Sequence, residues 1–160
     1  MISIISDTHD NISNIQKAVK KFKEAKVDFA VHCGDMVAPA TVKFFDGVKV
    51  KAVKGNCDGD IELETKKLEE SGGEYLGESG ELEYKGKKIG IYHGTNPIRL
   101  ERMISSQHYD YILTGHTHKT RDETIGKTRI INPGAHYYGA ENTIALLDTE
   151  KDTVKFIKLT

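Results

Sequence analysis

Short apolar runs alternate with longer amphipathic stretches along the first half of the chain. Met1-Ile2-Ser3-Ile4-Ile5 is one such run and predicts a buried first strand. Between Ile12 and Ala25 the apolar positions are Ile12, Ile15, Ala18, Val19, Phe22 and Ala25, with lysines on the opposite face. That spacing predicts an amphipathic helix, and Ser13 with Gln16 offers a capping box that would start it near Ser13. Val27 to Cys33 predicts a second buried strand. Pro39 suits the first turn of a second helix ending near Gly47. Val48 to Val53 predicts a third strand, and Ile61 to Ser71 a charged helix stopped by Gly72-Gly73. Strand and helix thus alternate three times, the pattern of a mostly parallel sheet covered by helices.

The pattern then changes. Gly80 to Tyr92 predicts a hairpin turning at Lys85-Gly86-Lys87, followed by a helix over Pro97 to Ser106 and a strand over Tyr109 to Thr114. Two strands, Thr120 to Ile125 and Thr128 to Ile131, flank Gly126-Lys127. Asn132-Pro133-Gly134 predicts a turn, and Thr143 to Asp148 with Thr153 to Leu159 a second hairpin turning at Thr149 to Asp152. This is more strand than one helix-covered sheet needs. The expected fold is therefore α/β, with two packed, mixed, sandwich-like β-sheets flanked by helices in α-β-β-α layers.

Composition narrows the partners. A chain of 160 residues is expected to form one domain, 1–160, with its own core. Net charge is −1 with acids and bases interspersed, so nothing electrostatic argues for nucleic acid or a membrane surface. The opening apolar run is too short for a signal-peptide core, and no stretch approaches a membrane span. Cys33 and Cys57 are far apart and not spaced as a metal-binding pair. Reduced thiols in a cytoplasmic protein are the simplest reading.

The candidate chemistry sits at strand ends. Asp7 and His9 follow the first strand; if its extended trace continues, both side chains leave on one side and can grip a metal ion. Asp-x-His alone is a weak signal, equally an Asp and a His in a polar turn. But Asp35 ends the second strand, Asn56 and Asp58 the third, His93 the hairpin, and His116 with His118 the strand after it. In α/β sheets ligands gather at the carboxyl ends of strands. Mixed carboxylate, imidazole and amide ligands suit Mn²⁺, Fe²⁺, Co²⁺, Ni²⁺ or Zn²⁺. The set is too large for one ion and about right for two, with manganese the first expectation. Two ions roughly 3.5–4 Å apart need a shared anion, and Asp35 is the obvious bridge. Phosphoryl chemistry fits: the ions would neutralise a phosphate and turn a bridging water into a hydroxide for in-line attack.

Asp7-x-His9, Gly34-Asp35, Gly55-Asn56-x-Asp58, His93 and Gly115-His116-x-His118, in this order, resemble the signature of the calcineurin-like metallophosphoesterase superfamily. The wording Gly-Asn-Cys-Asp and the small size resemble its compact prokaryotic phosphodiesterase branch. The resemblance implies one metal held by Asp7, His9, Asp35 and His118, and a second held by Asp35, Asn56, His93 and His116. It implies hydrolysis of a small phosphate ester, most plainly a diester, in which Asp35, Asn56 and His93 position hydroxide and phosphate. Many members carry His between the Asn and Asp of the third motif, where it is thought to protonate the leaving group; here that residue is Cys57. A thiol of unperturbed pKa near 8.5 substitutes poorly for an imidazolium, so good leaving groups are expected to be preferred. The tyrosine of purple acid phosphatases, just after Gly-Asp, is absent here, where Met36-Val37-Ala38 follows.

Other positions have plainer readings. Asp58 is expected to hold a ligand in place rather than to coordinate, with Asp10 and Thr117 in similar roles. His32 reads as a packed core histidine, Cys33 as a small buried hydrophobe, and His108 as a helix-ending cation. His136 reads as a weaker candidate to reach the pocket. Tyr137-Tyr138 is open to two uses, the mouth of a substrate site or contact between copies in a homo-oligomer. Two rivals to an enzyme of this branch remain. One is a non-catalytic scaffold on the same fold, as a retromer subunit resembles. The other is a nuclease, which would usually add a capping domain and a basic surface.

Overall fold

The computed structural model describes residues 1–136 and 140–160. Eleven strands form two sheets. In chain order they are β1 (Ile2–Ile5), β2 (Ala30–His32), β3 (Val50–Ala52), β4 (Glu74–Tyr75), β5 (Ser79–Tyr84), β6 (Lys87–Tyr92), β7 (Tyr111–Leu113), β8 (Thr120–Ile125), β9 (Thr128–Pro133), β10 (Thr143–Asp148) and β11 (Thr153–Lys158). The six-stranded sheet has the order β11-β10-β1-β2-β3-β4, and the five-stranded sheet β5-β6-β7-β9-β8. β1 to β4 run parallel, as do β6, β7 and β9, and the outer strands β10, β11, β5 and β8 pair antiparallel. The helices are α1 (Ile12–Ala25), α2 (Ile61–Glu70) and α3 (Pro97–Ser105), with a 3₁₀ helix over Pro39–Phe45.

Side-chain alternation along the strands builds the layers. Ile2, Ile4, Val31 and Val53 of the first sheet meet Ile89, Ile91, Tyr111, Leu113 and Ile131 of the second. The alternate residues Ile5, Ala30, Val50 and Ala52 face outward onto Ile15, Ala18 and Phe22 of α1, Phe45 of the 3₁₀ helix and Leu68 of α2. Ile112 and Ile130 pack beneath Ile104 of α3. The expected α-β-β-α order is present.

Local details depart from the sequence reading. Asn11, not a Ser13 box, caps α1, its side chain accepting the Asn14 N–H at 3.2 Å. The second strand starts late, because the Val27 N–H still donates to Phe22 O at 3.2 Å and closes α1. The helix begun by Pro39 is a tight 3₁₀ segment, the form short helical pieces favour. Asn132 and Pro133 are not a turn but the end of β9, paired with Arg121 and Thr120. A proline is tolerated there because the last strand residue can forgo an N–H.

Candidate metal centre

The carboxyl ends of β1, β2, β3, β6 and β7 deliver the candidate side chains to one place. Their loops are tightly wound. Asp7 (φ 52°), His9 (φ 42°), Asp35 (φ 61°), His116 (φ 67°) and His118 (φ 59°) all adopt left-handed backbone. The extended trace expected from Asp7 to His9 is therefore replaced by a coil, and it is the coil that aims both side chains. Such conformations are costly for non-glycine residues and persist only where surrounding structure dictates them.

The carboxylates are buried, Asp7 at 0% and Asp35 at 2% exposure. Asp7 Oδ2 accepts the Ser6 hydroxyl at 2.5 Å and the His116 N–H at 3.0 Å. Among the described residues its Oδ1 accepts no hydrogen bond, yet it faces His118 Nε2 at 3.2 Å and His93 Nε2 at 3.8 Å. Asp35 Oδ1 accepts the Cys57 N–H at 2.8 Å, while Oδ2 lies 3.4 Å from His93 Nε2 and 3.6 Å from His9 Nε2. His93 Nδ1 lies 2.7 Å from the carbonyl of Cys33. A carbonyl can only accept, so Nδ1 carries the proton and the neutral ring offers Nε2 as a lone pair. Asn56 Oδ1 lies 3.1 Å from that Nε2 and 3.0 Å from His116 Nδ1.

A cluster of lone pairs in a buried place requires positive charge. The titration behaviour points the same way. Burial works against a proton on His93, but the Asp35 and Asp7 carboxylates outweigh it and raise the pKa. Burial pushes Asp35 up, but His93 and the Cys57 N–H prevail and hold it well below the usual carboxylate range. Three donor groups have ligand atoms within 4.8 Å of one another: Asp7–His9–His118, Asp7–Asp35–His93 and His9–Asp35–Cys57. The residues present thus fit a divalent metal centre, and Asp7 and Asp35 each belong to two of these groups.

Residues 1–152 match the family model for the calcineurin-like phosphoesterase superfamily domain. The chain belongs to that superfamily. It is thereby classed with metal-dependent phosphoester hydrolases, as the motif order implied. It is 35% identical to a curated phosphodiesterase of the archaeon Methanocaldococcus jannaschii, over 99% of this chain and 98% of that protein. The solved structure of an archaeal phosphodiesterase superposes with a TM-score of 0.94 at 34% identity, covering 99% of both chains. Vps29 of Entamoeba histolytica, solved with zinc, shares the fold with a TM-score of 0.67 at 16% identity, covering 99% of both chains.

Residues around this candidate metal centre hold its loops. Asp58 was expected to steady a ligand side chain. Instead its carboxylate accepts three backbone N–H groups, from Gly55 at 2.7 Å, Val37 at 2.8 Å and Asp35 at 3.0 Å. Asp10 accepts from Ala38 N–H at 3.0 Å and the Thr41 hydroxyl at 2.6 Å, tying the first loop to the second. Thr117 accepts from Asn132 Nδ2 at 3.1 Å, and Asn132 also donates to Gly115 O at 2.8 Å. Residue order alone does not mark Ser6 for its role, whereas the Asn-Pro-Gly motif draws notice to Asn132.

His32 is a core histidine, as expected. It pairs with the Thr8 hydroxyl at 3.1 Å and accepts the Gly34 N–H at 3.2 Å, and burial pushes its pKa down to about 3. His136 does not join the cluster. Its Nε2 donates to Thr143 O at 3.0 Å, and its backbone N–H holds Asp7 O at 3.0 Å. Burial lowers its pKa to about 4. Cys33 is buried and Cys57 exposed. His108 lies past α3, with its ring 3.7 Å from Glu81. Tyr137 and Tyr138 lie outside the described residues. Among the described residues no helix is long and apolar enough to cross a membrane.

Proposed function

We propose that this protein is a two-metal phosphodiesterase acting on a small phosphate ester. Asp7, His9, Asp35 and His118 would hold one ion and Asp35, Asn56, His93 and His116 the other, with manganese the first candidate. Bound there, the ions supply charge to neutralise a phosphoryl group and the acidity that makes a hydroxide available near neutral pH.

The observation that carries this reading is the fixed tautomer of His93. With its Nδ1 proton on Cys33 O at 2.7 Å, Nε2 is the nitrogen left to face Asp35 and Asn56, where their oxygens draw a proton or a cation. The remaining work falls to the chain. Burial of Asp7 and Asp35 excludes water and strengthens their pull on a cation. Asp58 holds the Gly55 and Asp35 backbones, and so the Asn56 and Asp35 side chains, at fixed separation. Asn56 stands at the exposed rim, between the two imidazoles of His93 and His116, where it meets an incoming ester. Cys57, which the family motif would put on the leaving-group side, carries a thiol whose pKa is raised, chiefly by burial and by Asp35. A thiol so held is a weak acid, which supports a preference for aryl leaving groups.

Hydrolysis of bis(4-nitrophenyl) phosphate by the manganese-loaded protein tests the reading. Metal-dependent turnover is expected. No turnover with Mn²⁺, Ni²⁺, Co²⁺, Fe²⁺ or Zn²⁺ would favour a scaffold on the same fold.

A further inference from the structure

A small cavity of about 200 Å³ opens directly beside Asn56. Its wall includes Lys54, Tyr92, Asn96, Arg99 and Glu78. The metal centre carries two carboxylates and no lysine or arginine, but this cavity carries two cations against one carboxylate. That contrast is local, since the chain as a whole has a net charge of −1.

The cations are differently prepared. Lys54 is held by its backbone, whose N–H donates to Gly77 O at 2.9 Å. Lys51 and Lys67 pair with Glu74 and Glu70, at 2.5 Å and 3.1 Å. No such carboxylate partner is found for Lys54 among the described residues. Arg99 lies over the Tyr92 ring, 4.7 Å from its centroid. It donates to Glu78 at 3.2 Å and to the Ser79 hydroxyl at 2.7 Å, leaving part of its five-donor fork uncommitted. The Tyr92 hydroxyl accepts the Asn96 N–H at 3.0 Å and retains its own proton to donate.

A planar cation fixed on an aromatic face, an unpaired ammonium and a phenol donor together suit an oxyanion with several acceptor oxygens. The volume admits a phosphoryl group with a few linking atoms. We propose that this cavity binds a second phosphoryl group of the substrate, so that the preferred diesters carry a further phosphate on one arm. This rests on the phosphodiesterase reading above. Asn56 lies on the wall of both sites, so one ester could occupy them together.

The test compares two aryl diesters with the same leaving group, using the metal-loaded full-length protein at fixed ionic strength. One is the 4-nitrophenyl ester of thymidine 5′-phosphate; the other is that ester with an added 3′-phosphate. The 3′-phosphorylated ester should show kcat/KM higher by roughly 10-fold, expressed mainly in KM, as charge-assisted hydrogen bonds imply. Lys54→Gln should bring the ratio between the two substrates close to one. Lys21→Gln, which alters a remote surface pair with Glu24, should leave that ratio intact. A wild-type ratio near one, or a ratio that survives Lys54→Gln, would overturn the subsite while leaving the phosphodiesterase reading in place. Turnover of bis(4-nitrophenyl) phosphate with turnover of neither ester would overturn the subsite alone; turnover of none of the three would remove the phosphodiesterase reading with it.

Discussion

His93 donates its Nδ1 proton to the carbonyl of Cys33 at 2.7 Å, and so turns Nε2 toward Asp35 Oδ2, 3.4 Å away. The ring is fully buried, so neither end can exchange partners with solvent. His93→Asn keeps a polar group but cannot reach both partners. Activity on bis(4-nitrophenyl) phosphate should fall by about 100-fold or more, and metal affinity by at least ~10-fold. Unchanged metal titration and unchanged turnover would remove His93 from the centre.

Cys57 stands where an imidazole would be a better acid. Its N–H is committed to Asp35 at 2.8 Å, but the side chain is exposed. Cys57→His should therefore leave the loop intact and supply a proton of matched pKa. The gain should be confined to alkyl leaving groups, with rates rising by about 10-fold or more, while aryl esters change little. Equal effects on both classes of ester would show that the residue does not serve the leaving group.

Gly55 is required by crowding. A methyl group there would overlap both the carboxylate and the backbone nitrogen of Asp35. Asp58 reinforces the same loop through its three backbone N–H contacts. Gly55→Ala should displace Asp35 and abolish most activity. Asp58→Ala should cost about 2–4 kcal/mol of stability, because buried N–H groups lose a charged acceptor. Chemical denaturation of the two variants, compared with their turnover, checks both outcomes.

Glu64 carries a different consequence. It is 1% exposed, neither carboxylate oxygen has a hydrogen-bond partner among the described residues, and burial with the nearby Asp58 raises its pKa to about 8. The folded protein thus keeps this proton after the unfolded chain has lost it near pH 4.5. Between those pH values the folded state binds more protons, so this group lowers stability as pH rises, by at most about 1.4 kcal/mol per pH unit. Glu64→Met, of similar volume, should raise the melting temperature at pH 8.5 and change it little at pH 4.5. A stability difference independent of pH would contradict the assignment.

Much of this was legible in residue order. The five motifs mark strand ends because buried runs such as Ile2 to Ile5 and Ile89 to Tyr92 stop at them. Strands covered on both faces show little alternation, so the partition of Ile4 inward and Ile5 outward appeared only in the structure. Asn11 as a cap and Pro133 as a strand residue depend on contacts far along the chain, such as Asn11 Nδ2 with His136 O at 3.0 Å. The candidate ligands that the structure brings together were visible by type and spacing. Their aim was not, because it comes from left-handed turns at Asp7, His9 and Asp35 that local preference alone would not select. The roles of Ser6 and His136 were hidden for a similar reason: both act by holding Asp7, not by chemistry of their own.

Manganese-edge anomalous diffraction from a crystal soaked in Mn²⁺ tests the central claim most directly. Two peaks are predicted, both touching Asp35, one beside Asp7 and His118 and the other beside Asn56 and His93. No peak among these residues, or a single peak remote from Asp35, would contradict the two-metal account.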